Sequence, residues 1–176
     1  MLRPYLSLAS GVMLLVSANV YAQGEADFSK AIELTAGHEE LDIKNNRLLL
    51  TDNVTVKQGT LEIKADRVEA LRNADQQADT FIAEGNPATY TQQLDDGSTI
   101  SAQADRITYY QAREVLELVG NAQVSQGSSR SSAQIITYDL AQQTVSASGE
   151  GSENNRVTTI FTPPKKKKDD KNGSNN

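Results

Sequence analysis

The chain has 176 residues, with 17 Lys and Arg against 23 Asp and Glu, a net charge of −6, one His and no Cys. Without cysteine no disulfide staples it; a single histidine makes a zinc centre improbable and leaves His38 as the only base a Ser-His centre has to draw on. From Gln23 to Pro164 there are 11 basic and 21 acidic residues, a net of −10, which argues against nucleic acid, because phosphate binding needs clustered Lys and Arg.

Residues 1–22 read as a signal peptide. Arg3 gives a positive start, Met13-Leu14-Leu15-Val16 centres an apolar run, and Val20-Tyr21-Ala22 ends it with modest or small residues, so cleavage is expected after Ala22. An uncleaved anchor needs about 20 clean apolar residues, and Ser7, Ser10, Ser17 and Asn19 interrupt this run. No Cys follows it, which excludes lipoprotein attachment, and no later apolar run is long enough to span a bilayer. Residues 23–164 suit one domain.

From Ala31 to Phe161 the pattern is nearly continuous β. Apolar and polar residues alternate at Ile32/Leu34, Leu41/Ile43, Val54/Val56, Leu61/Ile63, Ala88/Tyr90, Ile107/Tyr109, Leu116/Leu118 and Ala122/Val124, the signature of half-buried strands. Turn residues intervene at Lys44-Asn45-Asn46, Asp52-Asn53, Gln58-Gly59, Arg72-Asn73-Ala74-Asp75, Gly85-Asn86-Pro87, Asp95-Asp96-Gly97, Gly120-Asn121, Gln126-Gly127-Ser128 and Glu150-Gly151. At about 8 to 9 residues per strand and turn, the stretch yields about 15 strands. Connections this short make neighbours antiparallel. Ile63 and Val68 are out of phase, which predicts a bulge between them. Residues 113–118 have helical propensity, but their repeat context predicts strand.

Four polar punctuations, Asp52-Asn53, Gly85-Asn86, Gly120-Asn121 and Gly151-Ser152, are spaced 33, 35 and 31 residues apart, each closing one run of alternation and opening the next. A first phrase, Asp52-Asn53-Val54-Thr55-Val56-Lys57-Gln58-Gly59-Thr60, returns as Gly120-Asn121-Ala122-Gln123-Val124-Ser125-Gln126-Gly127-Ser128. A second, Ala65-Asp66-Arg67-Val68, returns as Ala104-Asp105-Arg106-Ile107 and loosely as Ala133-Gln134-Ile135-Ile136. A period in the thirties built from strands predicts a linear all-β stack with a long apolar interior and an unpaired strand at each end. With nine aromatics and no Trp, the interior is mostly Ile, Leu and Val, with Tyr90 and Tyr109 at intervals. Two readings follow: an ordinary closed sandwich core, or a trough between two sheets that admits acyl chains at about 0.8 kcal/mol per buried CH₂.

Catalytic constellations are scarce. His38 beside Glu39-Glu40 reads as structural or exposed. Asp95-Asp96, a carboxylate pair of the kind glycosidases use, sits in a Gly-containing turn where adjacent side chains point apart into water. No phosphate-binding Gly-rich loop occurs, so directional work would draw its energy from elsewhere. Residues 165–176, with Lys165-Lys166-Lys167-Lys168, contain nothing to bury and read as a disordered tail. It either solubilises the chain or touches an anionic surface, at about 1 kcal/mol per Lys.

The stretch Leu50-Thr51-Asp52-Asn53-Val54-Thr55-Val56-Lys57-Gln58-Gly59-Thr60-Leu61-Glu62-Ile63-Lys64-Ala65-Asp66-Arg67-Val68 closely resembles the hallmark of the OstA-like family. Support comes from Gly85-Asn86-Pro87-Ala88-Thr89-Tyr90, Leu118-Val119-Gly120-Asn121-Ala122 and Arg156-Val157-Thr158-Thr159. The similarity runs from about Ile32 to Pro164. It implies an antiparallel β-jellyroll of two stacked sheets, an elongated and twisted V-shaped trough with open ends. It implies a non-enzymatic periplasmic protein that binds lipopolysaccharide with the lipid A chains inside the trough, and needs no cofactor. The implied partners are other copies of the chain joined head to tail, an LptC-like jellyroll at the inner membrane and an LptD-like jellyroll at the outer membrane. By this likeness the trough is lined by Ile32 and Leu34, by Leu48, Leu50, Val54 and Val56, by Ile63 and Tyr90, and by Ile107, Tyr109 and Leu116. The edges that join subunits are Ile32 and Leu34 at one end and Val157, Thr159 and Phe161 at the other. The family's bulky central aromatic is Tyr90 here, whose hydroxyl needs a partner. The alternatives are a closed β-sandwich scaffold without a lipid, and a carbohydrate-active enzyme using Asp95 or Asp96.

Overall fold

A computed structural model describes residues 27–72, 78–94, 96–150 and 156–163. The leader, the Lys-rich tail, Asp95 and the fourth punctuation at Gly151-Ser152 lie outside these residues. After Asp27-Phe28, which are helical, the described residues hold ten strands: β1 (Ile32–Thr35), β2 (His38–Asp42), β3 (Arg47–Gln58), β4 (Leu61–Arg72), β5 (Ala78–Gln93), β6 (Thr99–Tyr110), β7 (Val115–Gln126), β8 (Ser129–Asp139), β9 (Thr144–Ser148) and β10 (Thr158–Phe161). All pair antiparallel in one hydrogen-bonded sheet, ordered β1-β3-β4-β5-β6-β7-β8-β10, with β2 also on β3 and β9 also on β8.

Where about fifteen strands are expected, the described residues form ten, because the punctuations they include do not end strands. Asp52-Asn53, Gly85-Asn86 and Gly120-Asn121 lie inside β3, β5 and β7. There the pairing register breaks: between Thr51 and Val54, Lys64 and Arg67, Glu84 and Ala88, Gln103 and Arg106, and Val119 and Ala122. The breaks align across the sheet as one crease. The two repeated phrases are its two sides, Asx- and Gly-containing pairs on β3, β5 and β7, and Ala-Asp or Ala-Gln on β4, β6 and β8. The bulge expected between Ile63 and Val68 is present. Leu61, Ile63 and Ala65 are buried, then Val68 and Ala70, so the phase shifts at Asp66, which alone stands opposite Asp52 and Asn53 of β3.

Positive φ makes the crease possible. Asp52 (69°), Asn53 (54°), Gly120 (81°) and Asn121 (49°) all occupy the left-handed region, which Gly, Asn and Asp tolerate best. Gly120 is doubly constrained: a Cβ there would overlap Asp105 Oδ2 and stand 3.0 Å from Asp105 Cβ and Cγ. Asn121 Nδ2 then donates to the same carboxylate at 2.9 Å, pinning β7 to β6 across the crease.

Each long strand crosses the crease, so one sheet supplies both layers. The first layer holds β2, β9 and the strand halves around Leu48, Phe81, Ile107, Leu116 and Ile136. The second holds β1, β10 and the halves around Val56, Ile63, Tyr90, Ile100 and Val124. The inward side chains of both form a single apolar cluster. Residues 113–118, expected as strand, divide: Gln111–Arg113 make a 3₁₀ turn and β7 begins at Val115. Glu114 between them closes the turn at φ 52°.

Candidate functional site

The interior between the layers is the feature the fold is built around. Leu50, Val54, Val56, Ile63, Tyr90, Ile107, Tyr109 and Leu116 are each no more than 1% exposed and Leu48 is 9% exposed. Ile32 and Leu34 are half-buried on β1 and pack against the same cluster. The alternation therefore brought every lining candidate to the inward face. It also put there residues not singled out, including Leu61, Val68, Phe81, Ile100, Leu118 and Ile136. Leu118 was readable, sharing the phase of Leu116. Phe81, stacked on Tyr109 with ring centroids 6.1 Å apart, was not, since the alternating pairs leave a gap between Ile63 and Ala88. The inward side chains fill the interior themselves, so a guest has to part the layers.

Opposite the crease the layers meet along a seam of hairpin tips, where a polar cluster is buried that sequence reasoning missed. Gln58 is 1% and Gln92 2% exposed. Tyr109 Oη donates to Gln58 Oε1 at 3.3 Å, joining β6 of the first layer to β3 of the second. Tyr90 Oη donates to Gln92 Oε1 at 2.5 Å. This gives the Tyr90 hydroxyl the partner it requires. The signal was present: Gln58 continues the inward phase of Val54 and Val56, and Gln92 that of Ala88 and Tyr90. A polar residue at an apolar-phase position marks a buried partnership. Both phenols are held above the ordinary tyrosine value, chiefly by burial, with Tyr138, Tyr109 and Asp27 adding for Tyr90 and Glu114 and Asp27 adding for Tyr109.

The ends of the stack differ from its middle. Among the described residues β1 pairs only with β3, and β10 only with β8. On β10 Ile160 is 55% and Phe161 74% exposed. Val157 is exposed just before the strand, and Thr159 faces Ser131 with their hydroxyls 3.1 Å apart. Of the other candidate residues, His38 is exposed on β2 and pairs with Thr51, and Asp96 is exposed with Oδ1 accepting from Ser98 N at 2.8 Å. The outer faces carry ion pairs, Arg47–Glu69–Arg67–Glu84 on one layer and Lys57–Glu62–Lys64 on the other.

Comparison with known proteins agrees with this geometry. The family model described as LptA/(LptD N-terminal domain) LPS transport protein matches residues 33–144. The lipopolysaccharide export system protein LptA of Haemophilus influenzae is 34% identical over 153 residues, covering 86% of this chain and 87% of that protein. That of Escherichia coli K12 is 31% identical over 159 residues, covering 90% and 84%. Among solved structures, LptH of Pseudomonas aeruginosa, described as the LptA-homologous periplasmic component of the lipopolysaccharide transport device, shares the fold. Its TM-score is 0.72 at 24% identity, over 78% of this chain and 99% of that one.

Proposed function

The chain belongs to the LptA/(LptD N-terminal domain) family of lipopolysaccharide transport proteins, and from that membership we propose that it holds lipopolysaccharide by its acyl chains between the two layers, in the periplasm, and hands it along a head-to-tail row of jellyrolls. The observation that carries this reading is the apolar interior, which runs from β1 and β3 through to β8 and, among the described residues, has no charged side chain in its cluster. Acyl chains would lie against Leu48, Leu50 and Phe81 of one layer and Val56, Ile63 and Tyr90 of the other, with Ile107, Tyr109 and Leu116 beyond and Ile32 and Leu34 at the end.

Parting the layers exposes no apolar surface to water if hydrocarbon fills the gap, so the guest's own transfer from water remains as gain. About six buried methylenes are worth about 5 kcal/mol. Movement from one subunit to the next then exchanges like for like and needs no chemistry within this chain; the drive comes from lipid loaded upstream. The unpaired edges of β1 and β10 are suited to strand addition. Such a head-to-tail contact does not close, so it builds a row, with an LptC-like jellyroll at one end and an LptD-like jellyroll at the other.

Leu116 and Glu117 are neighbours on opposite faces of β7. A photo-crosslinking side chain at 116 should give adducts with lipopolysaccharide, and one at 117 none. Adducts at both or at 117 alone would sink the interior as the site. The filled interior favours a second reading, a closed scaffold without a lipid, which predicts adducts at neither position.

A further inference from the structure

The turn Asp27–Lys30 lies across the seam, over the buried amides. Its own hydrogen bond, Lys30 N to Asp27 O, is 2.9 Å long. Phe28 packs against the apolar cluster. Asp27, 5% exposed, accepts from Thr60 Oγ1 and from Gln92 Nε2 at 3.5 Å. It sits where a side chain on residue 59 would be: a Cβ on Gly59 would overlap its carboxylate and stand 3.0 Å from its Cα. Gln58 Nε2, facing inward, donates to the main-chain oxygens of Phe28 at 3.0 Å and Lys30 at 3.2 Å.

The inward donors of Gln58 are thus spent on two backbone carbonyls of a four-residue turn that covers the seam. Moving the turn aside leaves a carboxamide on an apolar wall with two donors unsatisfied, which is costly unless something else accepts. Plain hydrocarbon cannot. An acyl chain attached through an ester or amide linkage brings a carbonyl oxygen of the same kind that the turn supplies.

Resting on the reading above, we propose that Gln58 is a binding residue for the linkage carbonyls of acyl chains, and that the Asp27–Lys30 turn is the internal occupant they displace. The site thereby favours carbonyl-bearing lipids over bare alkyl chains, and entry of the lipid is coupled to release of the turn.

Three measurements on the exported chain test this. Hydrogen exchange across Asp27–Lys30 should lose its protection when lipopolysaccharide is added. Gln58→Leu removes the bonds to the turn together with those to the lipid, so lipopolysaccharide binding should change little. Binding of an alkyl maltoside, which has no carbonyl and no longer strands the Gln58 donors, should strengthen about fivefold or more, the worth of about one hydrogen bond. Asp27→Ala, which frees the turn without touching Gln58, should speed lipopolysaccharide uptake about fivefold on the same scale. Lipopolysaccharide bound with the turn still protected, or an unchanged preference between the two probes in Gln58→Leu, would overturn the proposal while leaving the lipid reading in place. No lipopolysaccharide binding by the unaltered chain would overturn both.

Discussion

Replacing Gly120 with Ala asks whether the crease is a built joint or a passive bend. Gly120 has φ 81°, where an alanine costs about 1–2 kcal/mol. The new Cβ would overlap Asp105 Oδ2, so the carboxylate has to rotate and give up its 2.9 Å bond to Asn121 Nδ2. A lost hydrogen bond to a charged group is worth about 1.5–3 kcal/mol when desolvated, and about half that here because Asn121 is exposed. The sum is about 2–3.5 kcal/mol, read as a lower urea midpoint at unchanged slope. With Asp105→Ala already present, the steric and hydrogen-bond parts are gone, and Gly120→Ala should cost only the backbone part, about 1–2 kcal/mol. Equal costs in the two backgrounds would show that the Asp105 contact does not hold the joint. A cost below about 0.5 kcal/mol in the unaltered chain would show that the left-handed conformation is not required.

Three further outcomes follow from the same contacts. The phenols of Tyr90 and Tyr109 stay neutral in the fold above the ordinary value of 10.0, whereas the unfolded chain ionises there. The stability they contribute is full below pH 10 and falls as pH rises, by about 1.4 kcal/mol per pH unit for each; Tyr109→Phe should halve that slope in alkaline urea titrations. Lys64, at 2.6 Å, and Lys57, at 3.5 Å, hold the Glu62 carboxyl below its ordinary 4.5. Its contribution is therefore present above pH 4.5 and lost as pH falls through the lowered value, and the stability gap between the unaltered chain and Glu62→Gln should close on acidification, from a few tenths of a kcal/mol at this partly exposed site. Ile160→Asp with Phe161→Asp, neighbouring exposed residues on the two faces of β10, should weaken self-association measured by sedimentation at least tenfold, because burying either side chain is worth about 1.5–3 kcal/mol; undiminished association would place the contact elsewhere.

Charged substitutions inside the fold are poor probes of lipid capture. Tyr109 is 1% exposed, so Tyr109→Asp would strand a carboxylate in the core and unfold the chain before its binding is read. Ile32, half-buried at the end of the stack, tolerates the change better, and Ile32→Asp should reduce lipopolysaccharide capture while β circular dichroism persists.

Alternation by itself determined which side chains point inward, because in a strand every second residue shares a face whatever the strand pairs with. That is why all eleven lining candidates reached the apolar cluster, and why the break in phase between Ile63 and Val68 foretold a bulge. The thirty-odd-residue repeat was legible as well, along with the all-β stack and its unpaired ends. What the repeat meant was not. Asp-Asn and Gly-Asn have the same local preference for positive φ at a chain reversal and at a bulge in mid-strand. Only the pairing of β3 through β8 on both sides of those residues makes them a crease, and turns fifteen expected strands into ten. The seam was decided by tertiary structure too: Asp27, Gln58, Gln92 and Tyr109 are up to 82 residues apart, and a buried hydrogen-bond network leaves no periodic trace when its members come from different strands.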